Sequence, residues 1–110
     1  MNINDTVKKV TDTATEKGWS FTEKDIPEKI ALCHSELSEA LEEYRAGHLP
    51  SDIYNDAQSL KPEGFGIELA DCVIRIMHLC GQLNIDLENA LEIKMTYNDT
   101  RSFRHGGKKA

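Results

Sequence analysis

Strand-forming sequence is scarce in this chain. Aromatic residues make up 6% of it, with a single tryptophan, Trp19, and nowhere do apolar and polar residues alternate with the period of two that a half-buried strand needs. A mainly β architecture is therefore excluded. No apolar run approaches the roughly 20 residues of a membrane span, and the N-terminal M-N-I-N-D-T-V-K-K has no signal-peptide apolar region. A cytoplasmic protein with no membrane partner is expected. The three cysteines, Cys33, Cys72 and Cys80, are odd in number and lack C-x-x-C spacing, which excludes a disulfide framework or a zinc ribbon and predicts buried, reduced thiols. Basic residues are outnumbered, 13 against 19 acids, for a net charge of −6. A protein that grips a phosphate backbone needs the opposite balance, so no nucleic acid partner is expected.

What the chain does have is helical periodicity. Ile3, Val7, Val10 and Ala14 recur at three-and-four spacing and predict a first helix from about Asn4 to Lys17, stopped by Gly18. A second starts near Pro27, favoured in a first turn, and ends at Gly47, with Ile26, Ile30, Cys33, Leu37, Ala40, Leu41 and Tyr44 on one face. The third covers Gly66 to Leu83 and is apolar nearly all round, apart from Glu68, Asp71, Arg75, His78 and Gln82 on one narrow stripe. A fourth begins after Asp86, a capping residue, and runs towards Arg101. Between the second and third helices, His48–Phe65 forms a long connector with two prolines and no sustained period, of the kind that serves as a lid. The expected fold is one all-α domain over residues 1–110, four-helix-bundle-like. A chain this short has a modest core, so oligomerisation is expected to complete it.

Two acidic boxes carry the chemistry. Glu36-Leu-Ser-Glu39 is followed, after 28 residues, by Glu68-Leu-Ala-Asp71. On helices, i, i+3 spacing puts the acids of each box on one face about a turn apart. Like charges that close repel unless a hard cation lies between them, and Mg²⁺ takes carboxylate and phosphate oxygens. Glu36, Glu39 and Glu43 are expected at the edge of the second helix's apolar face, looking into an inter-helix cleft. The polar stripe of the third helix is expected to look into the same cleft.

The fourth helix presents Lys94, Asn98 and Arg101 at i, i+4, i+7. Two cations and an amide closing a bundle over four acids would hold a polyphosphate, and Trp19 could stack on a base. Arg104, His105, Lys108 and Lys109 make Ser102–Ala110 a basic tail suited to gripping an anion.

E-x-x-E, 28 residues, E-x-x-D and then K-x-x-x-N-x-x-R resembles the MazG-like family of all-α nucleoside triphosphate pyrophosphohydrolases. Lys17-Gly-Trp19, the runs Leu32–Arg45 and Gly66–Arg75, and Asn98–Lys108 extend the likeness over most of the chain. The resemblance implies Mg²⁺-dependent hydrolysis of a (deoxy)nucleoside triphosphate between the α and β phosphates, with Mn²⁺ as a substitute metal. It puts Glu36, Glu39, Glu68 and Asp71 in the catalytic and metal-ligand positions, and Lys94, Asn98 and Arg101 against phosphate. It also implies paired protomers, as a homodimer or homotetramer. One departure is Ser35, where many relatives carry an acid adjacent to Glu36; Glu43, one turn beyond Glu39, is a candidate replacement, although a solvated charge is its expected role. A phosphoribosyl-ATP or dUTP-type pyrophosphohydrolase of the same superfamily and a non-catalytic nucleotide- or metal-binding module are the alternatives. A di-iron bundle is not, because it needs Glu-x-x-His pairs and no histidine here has an acid three residues before it.

Overall fold

Helix boundaries follow the capping chemistry. The structure, a computed structural model, describes residues 2–101; the basic tail with Arg104, His105, Lys108 and Lys109 lies outside the described residues. Asn2 opens α1 (Ile3–Glu16), its side chain accepting from the Asp5 amide at 3.1 Å. Thr22 and Asp25 form a capping box over a 3₁₀ turn that leads directly into α2 (Ile26–Arg45), with Pro27 in the first turn. Two short strands, β1 (Tyr54–Asn55) and β2 (Pro62–Glu63), pair antiparallel within the connector, Tyr54 opposite Glu63. The aperiodic stretch thus folds as a small hairpin, whose pairing the sequence pattern did not predict. α3 (Phe65–Gln82) and α4 (Leu87–Thr100) complete the chain, the latter capped by Asp86, which accepts from the Asn89 amide at 3.0 Å.

α3 is the centre of the arrangement. α2 and α1 both pack on it, and α4 lies against α1. Gly81 permits the close approach of α1 and α3, since a Cβ there would overlap the Thr11 side chain. Val7, Met77 and Cys80 form the buried cluster, flanked by Ile3, Val10 and Leu87. Cys72 is buried at the α2–α3 contact, its thiol 3.6 Å from the Cys33 carbonyl oxygen; all three cysteines are free. The start of α4 is tied to the start of α1: the Ile3 amide donates to Glu88 at 3.1 Å, the Asn4 side-chain amide donates to Asp86 at 2.9 Å, and the Glu88 amide donates to the Asn4 side-chain carbonyl at 3.2 Å.

Predominantly helical structure is as expected, but the described residues form an open array rather than a closed bundle. Of the expected inward face of α2, only Ala40 is buried; Ile30, Leu37, Leu41 and Tyr44 are exposed, Leu41 by 54%. α3 is not enclosed either, with Leu69, Val73, Ile74 and Ile76 exposed. The physical reason is a shortage of partners. α4 makes its contacts with α1, so no element among the described residues covers the outer faces of α2 and α3. No large side chain among the described residues is fully buried.

Candidate metal centre

Packing α2 on α3 turns the two acidic boxes towards each other. One oxygen each from Glu36, Glu39 and Glu68 lie within 4.8 Å of one another. The octahedron of Mg²⁺ spans about 4.2 Å between opposite oxygens, so a small side-chain rotation would close these three acids on a hard cation. Glu36 was expected at the edge of its helix face and is instead buried, as is Glu68, while Glu39 is open to solvent. Asp71 stands on the cleft side, half-buried. The donor set is all oxygen, the chemistry that Mg²⁺ and Mn²⁺ select.

The electrostatics are unbalanced. Burial, then the neighbouring Glu39, Glu36 and Asp71 acids, push the Glu68 carboxyl up to about 8. Burial and the Glu36 charge also raise Asp71. Glu36 goes the other way: burial opposes its charge, but Arg75, whose Nε donates to it at 2.8 Å, more than offsets this and holds it below the usual carboxylate range. Arg75 lies four residues beyond Asp71 on the polar stripe of α3 and is the cation hydrogen-bonded to this group of acids. A cluster of this charge with one bonded counter-cation suits a divalent ion better than it suits the bare protein.

Beside the acids lies a cleft of about 660 Å³ between α1, α2 and α3, into which Glu36, Glu39, Asp71 and Arg75 look. Trp19 lines it as well, 64% exposed, with the Lys29 ammonium 5.5 Å from its ring centre. So do Lys9, Lys17, Lys29 and Lys61. His78 is a further lining residue, its imidazole held below its usual range by burial and by the Lys29 and Arg75 charges, hence neutral at pH 7. The volume is that of a small-molecule site.

Lys94, Asn98 and Arg101 are not brought to the acids. None of them lines the cleft. The Lys94 ammonium and the Arg101 guanidinium sit 5.0 and 5.9 Å from the Tyr97 ring centre, on a helix that packs against α1. The cations facing the acids come instead from α1, α2 and the connector. Lys9 and Lys17, two helical turns apart and bracketing Thr13 on the same cleft wall, left a trace in the sequence as an i, i+8 pair that apolar periodicity does not single out.

Glu43 also differs from a solvated charge. Its carboxylate accepts from the Tyr54 hydroxyl at 2.8 Å and pairs with His48 Nδ1 at 2.5 Å. Those hydrogen bonds, His48 first, hold it below the usual carboxylate range; reciprocally, they push the Tyr54 phenol up to about 12. Compared with protein-family models, with curated proteins and with solved structures, the chain matches none of them.

Proposed function

We propose that the protein hydrolyses (deoxy)nucleoside triphosphates to monophosphate and pyrophosphate in a divalent-cation-dependent reaction, serving nucleotide-pool control or house-cleaning. The observation that carries this reading is the juxtaposition of a partly buried, under-neutralised carboxylate cluster with a lysine-rimmed cleft that holds an exposed tryptophan. Mg²⁺, or Mn²⁺ in its place, would be held by Glu36, Glu39 and Glu68 with Asp71 beside them, and when bound it would neutralise phosphate charge and polarise the scissile bond. Lys9, Lys17 and Lys29 bind the polyphosphate as point charges. Trp19 stacks on the base, at about 1 to 3 kcal/mol per base in nucleic-acid binders. Glu39 and Asp71, on the cleft side, are placed to accept a proton from attacking water.

The reaction class is tested with ordinary, oxidised and deaminated nucleotides, dUTP and phosphoribosyl-ATP in the presence of Mg²⁺, reading pyrophosphate against orthophosphate. Pyrophosphate with the matching monophosphate is the expected product pair. Nucleotide binding without any turnover would replace this reading with that of a binding module.

The same proposal includes assembly into a homodimer or homotetramer through the apolar faces of α2 and α3. Leu37, Leu41, Tyr44, Val73 and Ile76, between 40% and 61% exposed, leave open apolar side chains on two packed helices, the kind of surface that favours a protein–protein contact. Lys94, Asn98 and Arg101, remote from the cleft of their own protomer, would have to reach phosphate from a second copy. Sedimentation equilibrium at micromolar concentration should give a dimer or larger, and Leu41→Glu should reduce it to monomer; a wild-type monomer would remove assembly from the proposal.

A further inference from the structure

The far end of the cleft carries a hydrogen-bonding pair that the metal centre does not use. α2 and α3 run antiparallel: Glu43 meets Glu68, Glu36 meets Arg75, and the Lys29 charge acts on the His78 imidazole. The acids therefore lie at one end of the cleft and Lys29 and His78 at the other, where the Lys29 ammonium also sits 5.5 Å from the Trp19 ring centre. His78 is seven residues beyond Asp71 on α3, about 10 Å along the helix axis. That separation leaves room for a sugar between a phosphate at the acids and a base stacked on Trp19.

The imidazole has a defined donor edge. Gln82, one turn further along α3, places its amide Nε2 3.1 Å from His78 Nε2. An amide nitrogen only donates, so this ring nitrogen accepts. Burial, then the Lys29 and Arg75 charges, keep the ring neutral at pH 7, and its one proton is on Nδ1. Nδ1 has no hydrogen-bond partner among the described residues, and no side-chain nitrogen or oxygen there is both buried and partnerless. The Nδ1–H is thus open to solvent, on a ring that lines the cleft. Together with the Lys29 ammonium, which can only donate, it makes the Trp19 end of the cleft rich in donors.

We propose that His78 reads the base. Its Nδ1–H, held in this tautomer by Gln82 as the positioning residue, donates to the carbonyl oxygen that guanine, hypoxanthine and uracil carry where adenine and cytosine carry an amino group. An amino group in that place sets donor against donor and leaves both unpaired. The site therefore takes keto bases in preference to their amino counterparts. This inference rests on the nucleotide reading of the cleft and narrows it, from any base that stacks on Trp19 to a keto base.

ITP against ATP and UTP against CTP are the probes, since each pair differs at that group. On the full-length protein, kcat/KM is measured with Mg²⁺, and binding of the four corresponding monophosphates is measured by calorimetry without metal. Wild type should favour the keto member of each pair at least about tenfold in both measurements. His78→Phe, with unchanged helical circular dichroism, should bring the ratios to within about twofold of one, and Gln82→Leu should shrink them although the ring remains. Nitrogen NMR of the His78 ring at pH 7 should show a protonated Nδ1 and a bare Nε2 in wild type, and a mixture of tautomers in Gln82→Leu. Ratios near one in wild type, ratios that persist in His78→Phe, or the opposite tautomer would each overturn His78 as the reader; pyrophosphate release in the same assays would leave the hydrolysis standing. Neither binding nor turnover of any probe would overturn both.

Discussion

Glu68→Gln should make the metal-free protein more stable and abolish the proposed nucleotide hydrolysis. The two effects share one cause. The Glu68 carboxyl is pushed up to about 8 in the folded state, first by burial and then by Glu39, Glu36 and Asp71, against about 4.3 in an unfolded chain. The folded state therefore binds an extra proton between those values, and its stability falls as pH rises from about 4.5 to about 8. Glutamine keeps the shape and removes the charge. At pH 8 the metal-free variant should melt at least about 4 °C above wild type, the equivalent of about 1 kcal/mol in a domain of this size, and the gap should close by pH 4.5. Mg²⁺ should raise the melting temperature of wild type more than that of the variant, because a ligand stabilises only the state that binds it. Turnover of the best nucleotide should drop at least about a hundredfold in Glu68→Gln. Calorimetry across the pH range decides the stability half, and a variant less stable than wild type at pH 8 would mean that Glu68 has a structural partner.

Arg75→Met should have the opposite effect on stability. The Arg75 Nε–Glu36 contact is 2.8 Å, with the two side chains 39% and 10% exposed, and no other cation is hydrogen-bonded to the acids of this cluster among the described residues. Without it, Glu36 stays buried beside Glu39 and Glu68 with no compensating charge. Breaking a buried pair costs about 3 to 5 kcal/mol; Arg75 is partly open to water, so about 2 kcal/mol is expected at pH 7.5. Glu36 is held below its unfolded range by Arg75 against the opposing effect of burial. The stability this pair supplies is present above the unfolded pKa and is lost as pH falls through the folded one, so the deficit of the variant should shrink below about pH 4.5. Glu36→Gln in the Arg75→Met background should recover much of the loss, and a double-mutant cycle would give the coupling directly. Additive effects would show that Arg75 acts through its own packing.

The parts of this molecule that were legible in the sequence are those decided within a few residues. Asp86 caps α4 because its side chain reaches an amide three residues on, and Pro27 starts α2 because its ring suits a first turn. The i, i+3 spacing of the boxes likewise determines that Glu36 and Glu39, or Glu68 and Asp71, share a helix face. The narrow polar stripe of α3 marks the side of that helix that carries Asp71, Arg75 and His78 into the cleft.

Only the tertiary structure decided which acids meet and which cations face them. Glu36 is buried rather than marginal because α2 packs on α3, with the Cys72 thiol on the Cys33 carbonyl and Arg75 on Glu36 itself, and no periodicity specifies where two helices meet. Glu63 reaches Glu68 through the left-handed backbone at Gly64, a turn that pairs residues from separate elements. The phosphate face expected on α4 is displaced because Asn4, Asp86 and Glu88 bind the start of that helix to α1, leaving Lys9, Lys17 and Lys29 beside the acids. Local preference sets what each helix is. The hydrogen bonds between the starts of α1 and α4, made across more than eighty residues of chain, set where α4 goes.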